Sequence, residues 1–346
     1  MNRLRVGVIG CGYIAEEAHL PYFLSCPRAE LVAAADTRNE RLVAVREKFG
    51  VKNLYTDYHD MLKGDLIDAV SICVPNFLHS QVAVDASEAG KHILCEKPMA
   101  TSLDDADRMI SAARKNNVKL MIGNSLRFLP NHKLAREWVQ KAKIGKVYFV
   151  RAQFASPGPY GAPGITSPFY FDSKKGGGVL FDAGAHLVDL LLWMFGDISK
   201  VHACVGAYKD EINKADDVAS VSLKFENGMI GEIFASWVSI QNWHLMTDYN
   251  NLQILGSEGR IYSDFWGPYL HYFKEKSLVC RLKGMIKVTP VELDPKIPFA
   301  ARNYAYEKEI NSFVNCVVKD EEPLVTGEDG KRALKVIIDA YRSAEG

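Results

Sequence analysis

Near its start the chain reads Leu4-Arg-Val-Gly-Val-Ile-Gly-Cys-Gly-Tyr-Ile-Ala15, a short apolar run followed at once by a glycine-rich turn. The apolar run predicts a buried strand, and a helix-like segment continues over residues 13–24. The turn fits the pattern G-x-G-x-x-G/A, in which Gly10 allows a tight turn and Gly12 lets the backbone approach a pyrophosphate. The following helix would present free N–H groups to the phosphates. This stretch predicts a dinucleotide-binding loop that includes Tyr13 and Ile14.

An acidic residue after the second apolar run supports the same interpretation. Residues 30–35 form that run, and Asp36 follows it, 24 residues after Gly12. A carboxylate there hydrogen-bonds the adenine-ribose 2′-hydroxyl and repels a 2′-phosphate, which favours NAD over NADP. Arg38 lies two residues further on and can accept that phosphate, so NADP stays open. A Rossmann-like sheet without a cofactor is the alternative.

Strand-like and helix-like segments alternate up to about residue 124. The strand-like runs cover residues 4–9, 30–35, 67–74, 92–95 and 119–123, and the helix-like segments cover 13–24, 38–49, 79–90 and 103–116. Such alternation predicts a doubly wound parallel sheet with right-handed crossovers. We therefore expect a Rossmann domain over residues 1–124, giving the α/β part of the fold.

The pattern changes in residues 125–346, which predict an α+β domain. Helical patterns occur at 130–143, from Gly177 onward, at 304–318 and at 329–344, and strand-like runs occur at 146–155, 201–208, 218–225, 229–239, 251–255 and 260–265. Turn signals such as Glu226-Asn-Gly228 and Gly256-Ser-Glu-Gly259 separate consecutive strands, as in hairpins. The second domain should carry a large, open, mostly antiparallel sheet with helices.

Composition narrows the class of protein. The 346 residues are 48% apolar and 24% charged, and 42 basic residues balance 42 acidic ones, which gives no pull toward nucleic acid or an anionic membrane. The best candidate for a membrane span, Leu187–Phe195, is short and contains Asp189. Seven cysteines form no Cys-x-x-Cys pair, and no signal peptide is recognisable at the start. We expect a cytoplasmic protein.

A catalytic candidate follows the strand at 92–95. Glu96-Lys97-Pro98 stands at the carboxyl end of that strand, where ligands bind in open α/β sheets. Pro98 fixes the backbone and pushes Lys97 away from helical geometry. A surface turn with a solvated lysine is the alternative.

A second candidate lies in the apolar run from Gly176 to Phe195. Its charged or titratable residues are Asp182, His186 and Asp189, at i, i+4 and i+7, so an α-helix would place them on one stripe. Such groups in a buried helix are costly unless they are paired or used. A core histidine satisfied by a carboxylate is one alternative. A metal site is another, but no second cluster at ligand spacing supports it, and we expect no metal.

Taken together, these segments resemble the Gfo/Idh/MocA family, which includes glucose–fructose oxidoreductase and inositol dehydrogenase. The matching segments are Gly10-x-Gly12-x-x-Ala15, Asp36, Pro75-Asn76-x-x-His79, Glu96-Lys97-Pro98, Gly176 through Asp182 to His186, Leu252–Gly259 and Thr326–Gly330. The resemblance implies an NAD(P)-dependent oxidoreductase acting on a hydroxyl carbon of a sugar, an inositol or a nucleotide sugar. It also implies homodimers or homotetramers built through the outer face of the second sheet.

The resemblance further implies residue roles. Lys97, Asp182 and His186 match the family's catalytic positions. Asn76 and His79 match positions near the nicotinamide end of the cofactor, and Pro75, Glu96 and Lys97 are also expected to bind it. Arg127 falls where the family often has a substrate-side arginine, and Tyr160 lies in the 156–172 segment that helps shape the substrate pocket in relatives. The aromatic candidates Tyr170, Trp243 and His244 are as consistent with packing.

The expected mechanism is hydride transfer with proton removal from a hydroxyl group. His186 would take the proton, Asp182 would orient His186, and Lys97 would hydrogen-bond the same oxygen, although the roles of Lys97 and His186 can be exchanged. Three functions stay open: a dehydrogenase with exchangeable NAD, an enzyme that uses tightly held NAD for hydrolysis, elimination or dismutation, and a non-enzymatic NAD sensor. The three intact residues argue against the sensor.

Overall fold

A computed structural model describes residues 3–160, 167–209, 215–238, 250–265, 270–274 and 301–345. The chain divides into two compact units. The first unit combines Met1–Asn124 with Tyr306–Lys335, and the second combines Ser125–Ala305 with Val336–Gly346.

The first unit contains a six-stranded, all-parallel sheet. Its strands are β1 (Leu4–Ile9), β2 (Ala29–Ala35), β3 (Asn53–Tyr55), β4 (Ala69–Ile72), β5 (His92–Glu96) and β6 (Leu120–Gly123). The strand order is β3-β2-β1-β4-β5-β6, which is the doubly wound order of a Rossmann fold. The predicted fold class is confirmed for this part of the chain.

Helices follow the strands of this sheet. They are α1 (Leu20–Ser25), α2 (Asn39–Phe49), α3 (Tyr58–Leu62), α4 (His79–Glu88) and α5 (Leu103–Lys115). A π-helical turn at Ala15–His19 precedes α1. Because the switch in strand order falls between β1 and β4, the loops after these strands lie where such sheets bind ligands.

The C-terminal segment Tyr306–Lys335 belongs to the first unit, which differs from the predicted continuous domain at 125–346. The Ile122 N–H donates to the Val325 carbonyl at 3.0 Å, and Met121 forms an antiparallel bridge with Thr326. These contacts cover the open edge of β6, and an uncovered edge strand would leave its backbone groups unpaired.

The second unit contains a seven-stranded sheet. Its strands are β7 (Val147–Ala155), β8 (Ile198–Gly206), β9 (Val218–Phe225), β10 (Ile230–Ser236), β11 (Asn251–Gly256), β12 (Gly259–Asp264) and β13 (Leu270–Lys274). They lie in the order β13-β12-β11-β7-β10-β9-β8. Neighbouring strands are antiparallel except β7 and β10, which are parallel. The prediction of a large, mostly antiparallel sheet is confirmed.

Two helices of the second unit and two helices near the C-terminus follow, and residues 306–335 belong to the first unit. The helices are α6 (Pro130–Gln140), α7 (Ala185–Phe195), α8 (Ala301–Lys319) and α9 (Gly327–Ala344). Helix α6 contacts β12 and α7 contacts β7. Within the described residues, the stretch Ser173–Phe195 is long and apolar enough to cross a membrane by length and composition. However, 78% of its most apolar window is buried inside the protein, as in a core helix.

Candidate active site

The glycine-rich loop leaves no room for a side chain at its first glycine. Gly10 has a φ of +89°, and a Cβ atom there would lie 2.7 Å from the carbonyl carbon and oxygen of Cys73. Only glycine adopts this conformation without strain and without displacing the backbone after β4. The turn after β1 therefore requires a glycine at position 10, as a close-fitting phosphate-binding turn does.

Asp36 is anchored against this loop. Its Oδ2 accepts the Cys11 N–H at 2.8 Å, and its Oδ1 accepts the Arg38 N–H at 2.9 Å. The Arg38 guanidinium Nε stands 3.8 Å from the same Oδ1. The sequence-predicted acidic and basic residues are therefore neighbours at the end of β2, next to the glycine-rich loop.

Arg41, in the first turn of α2, contacts the glycine-rich loop and was not predicted from the sequence. Its Nη1 donates to the Cys11 carbonyl at 3.0 Å, and a Cβ atom on Gly12 would lie 2.8 Å from that nitrogen. A guanidinium group thus lies against the loop that would hold phosphates, where its charge is favourable. The sequence predicted residues 38–49 only as a helix-like segment. The usable signal was an arginine one turn into the helix after Asp36.

Asn76 and His79 lie after β4. Asn76 begins a short 3-10 turn that leads into α4, and both residues are buried. The ring nitrogens of His79 face two backbone carbonyls, Nδ1 to Pro98 at 2.8 Å and Nε2 to Val74 at 2.9 Å. Burial lowers the pKa of His79, although the hydrogen bonds to the two carbonyls act in the opposite direction by favouring the charged ring. His79 therefore ties the loops after β4 and β5 together, and its own position is set by backbone contacts.

Lys97 stands out from its surroundings. Within residues 93–100 it is the one residue that is not buried. Its N–H donates to Oε2 of the buried Glu96 at 3.1 Å, and the Lys97–Pro98 peptide bond is cis. An otherwise buried segment thus presents one ammonium group at the carboxyl end of β5, where the sequence predicted it.

Asp182 and His186 show the same pattern in the second unit. Within residues 176–192 they are the two residues that are not buried. Asp182 lies in a π-helical turn, Leu180–Gly184, and His186 lies in the first turn of α7. Isolated π-helical turns inside helices occur often at functional sites. Two titratable groups are therefore presented from an apolar, buried helix.

Asp189, the third residue of the predicted stripe, does not share the partial exposure of Asp182 and His186. Asp189 is buried and pairs with Arg127, whose Nε donates to Oδ2 at 2.7 Å and whose Nη2 donates to Oδ1 at 2.6 Å. The two side chains are 3% and 1% exposed. This bidentate pair neutralises the Arg127 charge inside the unit. The geometry favours a structural role for Arg127 over the substrate contact implied by the resemblance.

The pairing with Arg127 disfavours a metal site formed by Asp182, His186 and Asp189, because the Asp189 carboxylate already accepts two hydrogen bonds from Arg127. Among the residues that the structure describes, Asp182, His186 and Asp189 form no group with convergent ligand atoms. A group that does converge is His19, Glu96 and Glu309 in the first unit, with ligand atoms within 4.8 Å of one another. The sequence pattern did not indicate that cluster, because its members lie far apart along the chain.

Tyr160 is partly exposed and lies among polar and aromatic neighbours. Its ring centroid is 5.2 Å from that of Phe171, and the Lys209 Nζ stands 4.5 Å from the same centroid. Tyr170 stacks on Phe169, which is a packing contact. The other aromatic candidates, Trp243 and His244, lie outside the described residues.

Asp216 supports the turn that carries Asp182 and was not predicted. It accepts the Leu180 N–H at 3.0 Å and the Tyr341 hydroxyl at 2.6 Å. Burial raises the pKa of Asp216, against the opposing hydrogen bonds. Asp216 satisfies backbone donors at the start of the helix, so it fixes the helical segment from which Asp182 and His186 project.

Comparisons with known proteins identify the family of both parts of the chain. A family model described as an oxidoreductase family with an NAD-binding Rossmann fold matches residues 4–124. A model of the GFO/IDH/MocA C-terminal domain matches residues 132–262. The two models together cover most of the chain.

Individual relatives match along the whole chain. The myo-inositol 2-dehydrogenase of Thermotoga maritima is 31% identical over 351 residues, covering 99% of this chain and 96% of that protein. The D-apiose dehydrogenase of Paraburkholderia graminis is 26% identical over 346 residues, covering 99% and 88%. The crystal structure of a probable dehydrogenase from Thermotoga maritima superposes with a TM-score of 0.78 at 30% identity, covering 99% and 97%.

Proposed function

The chain belongs to the Gfo/Idh/MocA family of NAD-binding oxidoreductases, and from that membership we propose an NAD(P)-dependent dehydrogenase acting on a sugar, inositol or nucleotide-sugar hydroxyl carbon. One observation carries the proposal. The three titratable groups that the sequence marks as catalytic, Lys97, Asp182 and His186, are the partly exposed residues of otherwise buried segments. Buried segments seldom present such groups without a use for them.

The residues of the first unit fit a dinucleotide. The turn at Gly10, which has no room for a side chain, suits a pyrophosphate. The Asp36 carboxylate, which is held by the Cys11 N–H, suits a ribose hydroxyl. The Asp36 carboxylate favours NAD, while Arg38 and Arg41 offer charge to a 2′-phosphate, so both cofactors belong in the test. When bound, the nicotinamide supplies the hydride acceptor.

Side chains of the protein remove the proton of the substrate hydroxyl group. We propose that His186 removes the hydroxyl proton, that Asp182 orients His186 and stabilises its charged form, and that Lys97 hydrogen-bonds the same oxygen. The donor from Lys97 would stabilise negative charge as it develops on that oxygen. Exchange of the roles of Lys97 and His186 gives the same net reaction.

We also propose a cytoplasmic homodimer or homotetramer formed through the outer face of the second sheet. Along β7 and β10, the inward residues Val150 and Ile233 are fully buried, whereas Phe149 and Phe234 alternate with them and are partly exposed. Ile230 on β10 is 54% exposed. Apolar side chains on the face of a sheet favour contact with a second copy. Analytical ultracentrifugation of the wild-type protein and Ile230→Asp tests this.

Absorbance at 340 nm tests the proposed reaction directly. Purified protein is mixed with NAD or NADP and with aldoses, inositols or nucleotide sugars. Reduction of the cofactor in the presence of one of these classes identifies the substrate class. Lys97→Ala and His186→Ala should each lower kcat at least about 100-fold, the usual scale for a positioned acid or base. Lys63→Ala and His59→Ala, which remove exposed groups of the same types near α3, should leave kcat unchanged. Near-full turnover in either first variant overturns the assignment.

A further inference from the structure

His19 and Glu96 form a buried ion pair, and Glu96 immediately precedes Lys97 in the chain. The His19 Nε2 hydrogen-bonds Glu96 Oε1 at 2.8 Å, and both side chains are almost completely buried. The other ring nitrogen, Nδ1, hydrogen-bonds the Ser71 hydroxyl at 2.7 Å. His19 ends the π-helical turn after the glycine-rich loop, and Glu96 ends β5. The pair therefore links the cofactor loop to the segment that carries Lys97.

The charges around the pair favour its ionised form. Burial opposes the charged ring, but the neighbouring Cys73 and the hydrogen bond that His19 donates to Glu96 raise the pKa of His19. Burial raises the pKa of the Cys73 thiol, so we assign the charge partner to Glu96. The hydrogen bond and charge of His19, with the charge of Lys97, lower the pKa of Glu96 against its burial.

The second carboxylate of the cluster does not turn the pair into a metal site. Glu309 on α8 brings a ligand atom within 4.8 Å of those of His19 and Glu96. However, both nitrogens of His19 already hydrogen-bond oxygen atoms, as an imidazolium does. A metal ligand needs a free lone pair on one of them. The geometry favours an ion pair with a nearby carboxyl group over a metal ion.

Stability alone gives a weak reason for burying this pair. A buried ion pair is often no more stable than well-packed apolar residues of similar volume, because desolvation offsets the attraction. Glu96 has a second contact that apolar residues cannot make, since its Oε2 accepts the Lys97 N–H at 3.1 Å. A carboxylate accepts such a bond more strongly than a neutral group does.

We propose that His19 and Glu96 form a positioning pair for Lys97, in which the imidazolium keeps Glu96 ionised and the carboxylate fixes the main chain of Lys97. His19 and Glu96 are positioning residues that act through Lys97. Their effect on turnover rests on the proposed function, in which Lys97 contacts the substrate oxygen. Their effect on the Lys97 main chain does not depend on any reaction.

The experiment uses the whole chain in four variants. His19→Gln keeps a neutral donor, Glu96→Gln keeps a neutral acceptor, and the double variant removes both charges. Asp68→Asn is the matched control, because it breaks a salt bridge with Arg5 in the same unit. That salt bridge lies at the amino ends of the parallel strands β1 and β4, away from the glycine-rich loop and Lys97. The readouts are hydrogen exchange of the Lys97 amide, NAD affinity by fluorescence, kcat and KM, and nitrogen NMR of the His19 ring.

The expected result is a specific loosening of Lys97. Its amide should exchange about tenfold faster in His19→Gln and Glu96→Gln, and kcat should fall about 10- to 100-fold, the scale of a misplaced catalytic group. NAD affinity and KM should stay within about threefold, and the double variant should be no worse than either single one. The His19 imidazolium should persist above the ordinary pKa of histidine in the wild type and be lost at lower pH in Glu96→Gln.

The outcomes separate this inference from the proposed function. Unchanged exchange at Lys97 in both single variants overturns the positioning pair, whatever the activity. A bound stoichiometric divalent metal in the wild type also overturns it. Faster exchange with no turnover of any substrate by the wild type supports the positioning pair and counts against the dehydrogenase. Should His19→Gln fail to fold, Glu96→Gln and the wild-type titration decide the question.

Discussion

The Arg127–Asp189 pair gives a quantitative prediction for the second unit. Asp189→Asn keeps the shape of the side chain and removes its charge, which leaves a guanidinium group that is 3% exposed without its counter-charge. It also weakens two short charge-assisted hydrogen bonds, of 2.7 and 2.6 Å. Breaking one side of a buried pair costs about 3–5 kcal/mol. We expect the free energy of unfolding of this unit to fall by that amount.

The five tryptophans make the assay specific to one unit. They lie at positions 138, 193, 237, 243 and 266, all within the second unit. Guanidinium chloride unfolding followed by tryptophan fluorescence therefore reports this unit, whereas circular dichroism reports both, and the two transitions are analysed separately. Glu137→Gln on α6 is the control, since its exposed pair with Lys141 should contribute less than about 1 kcal/mol.

A double replacement separates the structural role of Arg127 from a substrate contact. Arg127→Met with Asp189→Leu removes both charges at similar volume, and we expect stability within about 1–2 kcal/mol of the wild type. KM should then stay near its wild-type value. A stable double variant whose KM rises about 100-fold would restore Arg127 as a substrate ligand. A loss below about 1 kcal/mol in Asp189→Asn would refute the burial argument itself.

Three further changes probe the rest of the molecule. Gly10→Ala should abolish measurable NAD binding in a fluorescence titration, because its Cβ would lie 2.7 Å from the Cys73 backbone. Wild-type affinity in this variant would contradict the proposal that the turn at Gly10 binds the pyrophosphate. Asp36→Asn keeps the acceptor but not the charge, so the kcat/KM ratio of NADP to NAD should rise at least about tenfold; an unchanged ratio would remove Asp36 from cofactor selection. Burial lowers the pKa of His132 to about 4, below its ordinary value of about 6.5, so the neutral ring's stabilising effect is complete above pH ~6.5. That effect is lost as the pH falls from about 6.5 toward 4, because the unfolded chain binds the proton first. His132→Asn should flatten this loss in tryptophan-monitored unfolding at pH 7, 5 and 4, and an equal slope in both proteins would refute the assignment.

Local pattern was sufficient for most of the fold. The apolar runs of the first unit and the hairpin turns of the second are short-range features, and both sheets form where they predict them. Strand β3 was missed because its three residues carry no buried side chain. The return of residues 306–335 to the first unit was missed because it depends on the free edge of β6, which no local pattern reveals.

The site divides along the same line. Lys97, Asp182 and His186 were recognisable because each is a polar residue in an apolar segment. The two buried ion pairs were not predicted, since Arg127 and Asp189 lie 62 residues apart and His19 and Glu96 lie 77 apart. The π-helical turn at Asp182 also escaped prediction, because the repeat of an α-helix was assumed throughout.

The split of the first unit has a consequence for synthesis on the ribosome. Strand β6 ends at residue 123 and its edge is covered by residues 325–326, roughly 200 residues later. At 5–20 residues per second, the finished edge arrives about 10–40 seconds after the strand it protects. The unit that begins the chain is therefore completed only after residues 125–305 of the other unit have been made. Nascent chains released before residue 306 would expose that edge, which makes them clients for chaperones or proteases.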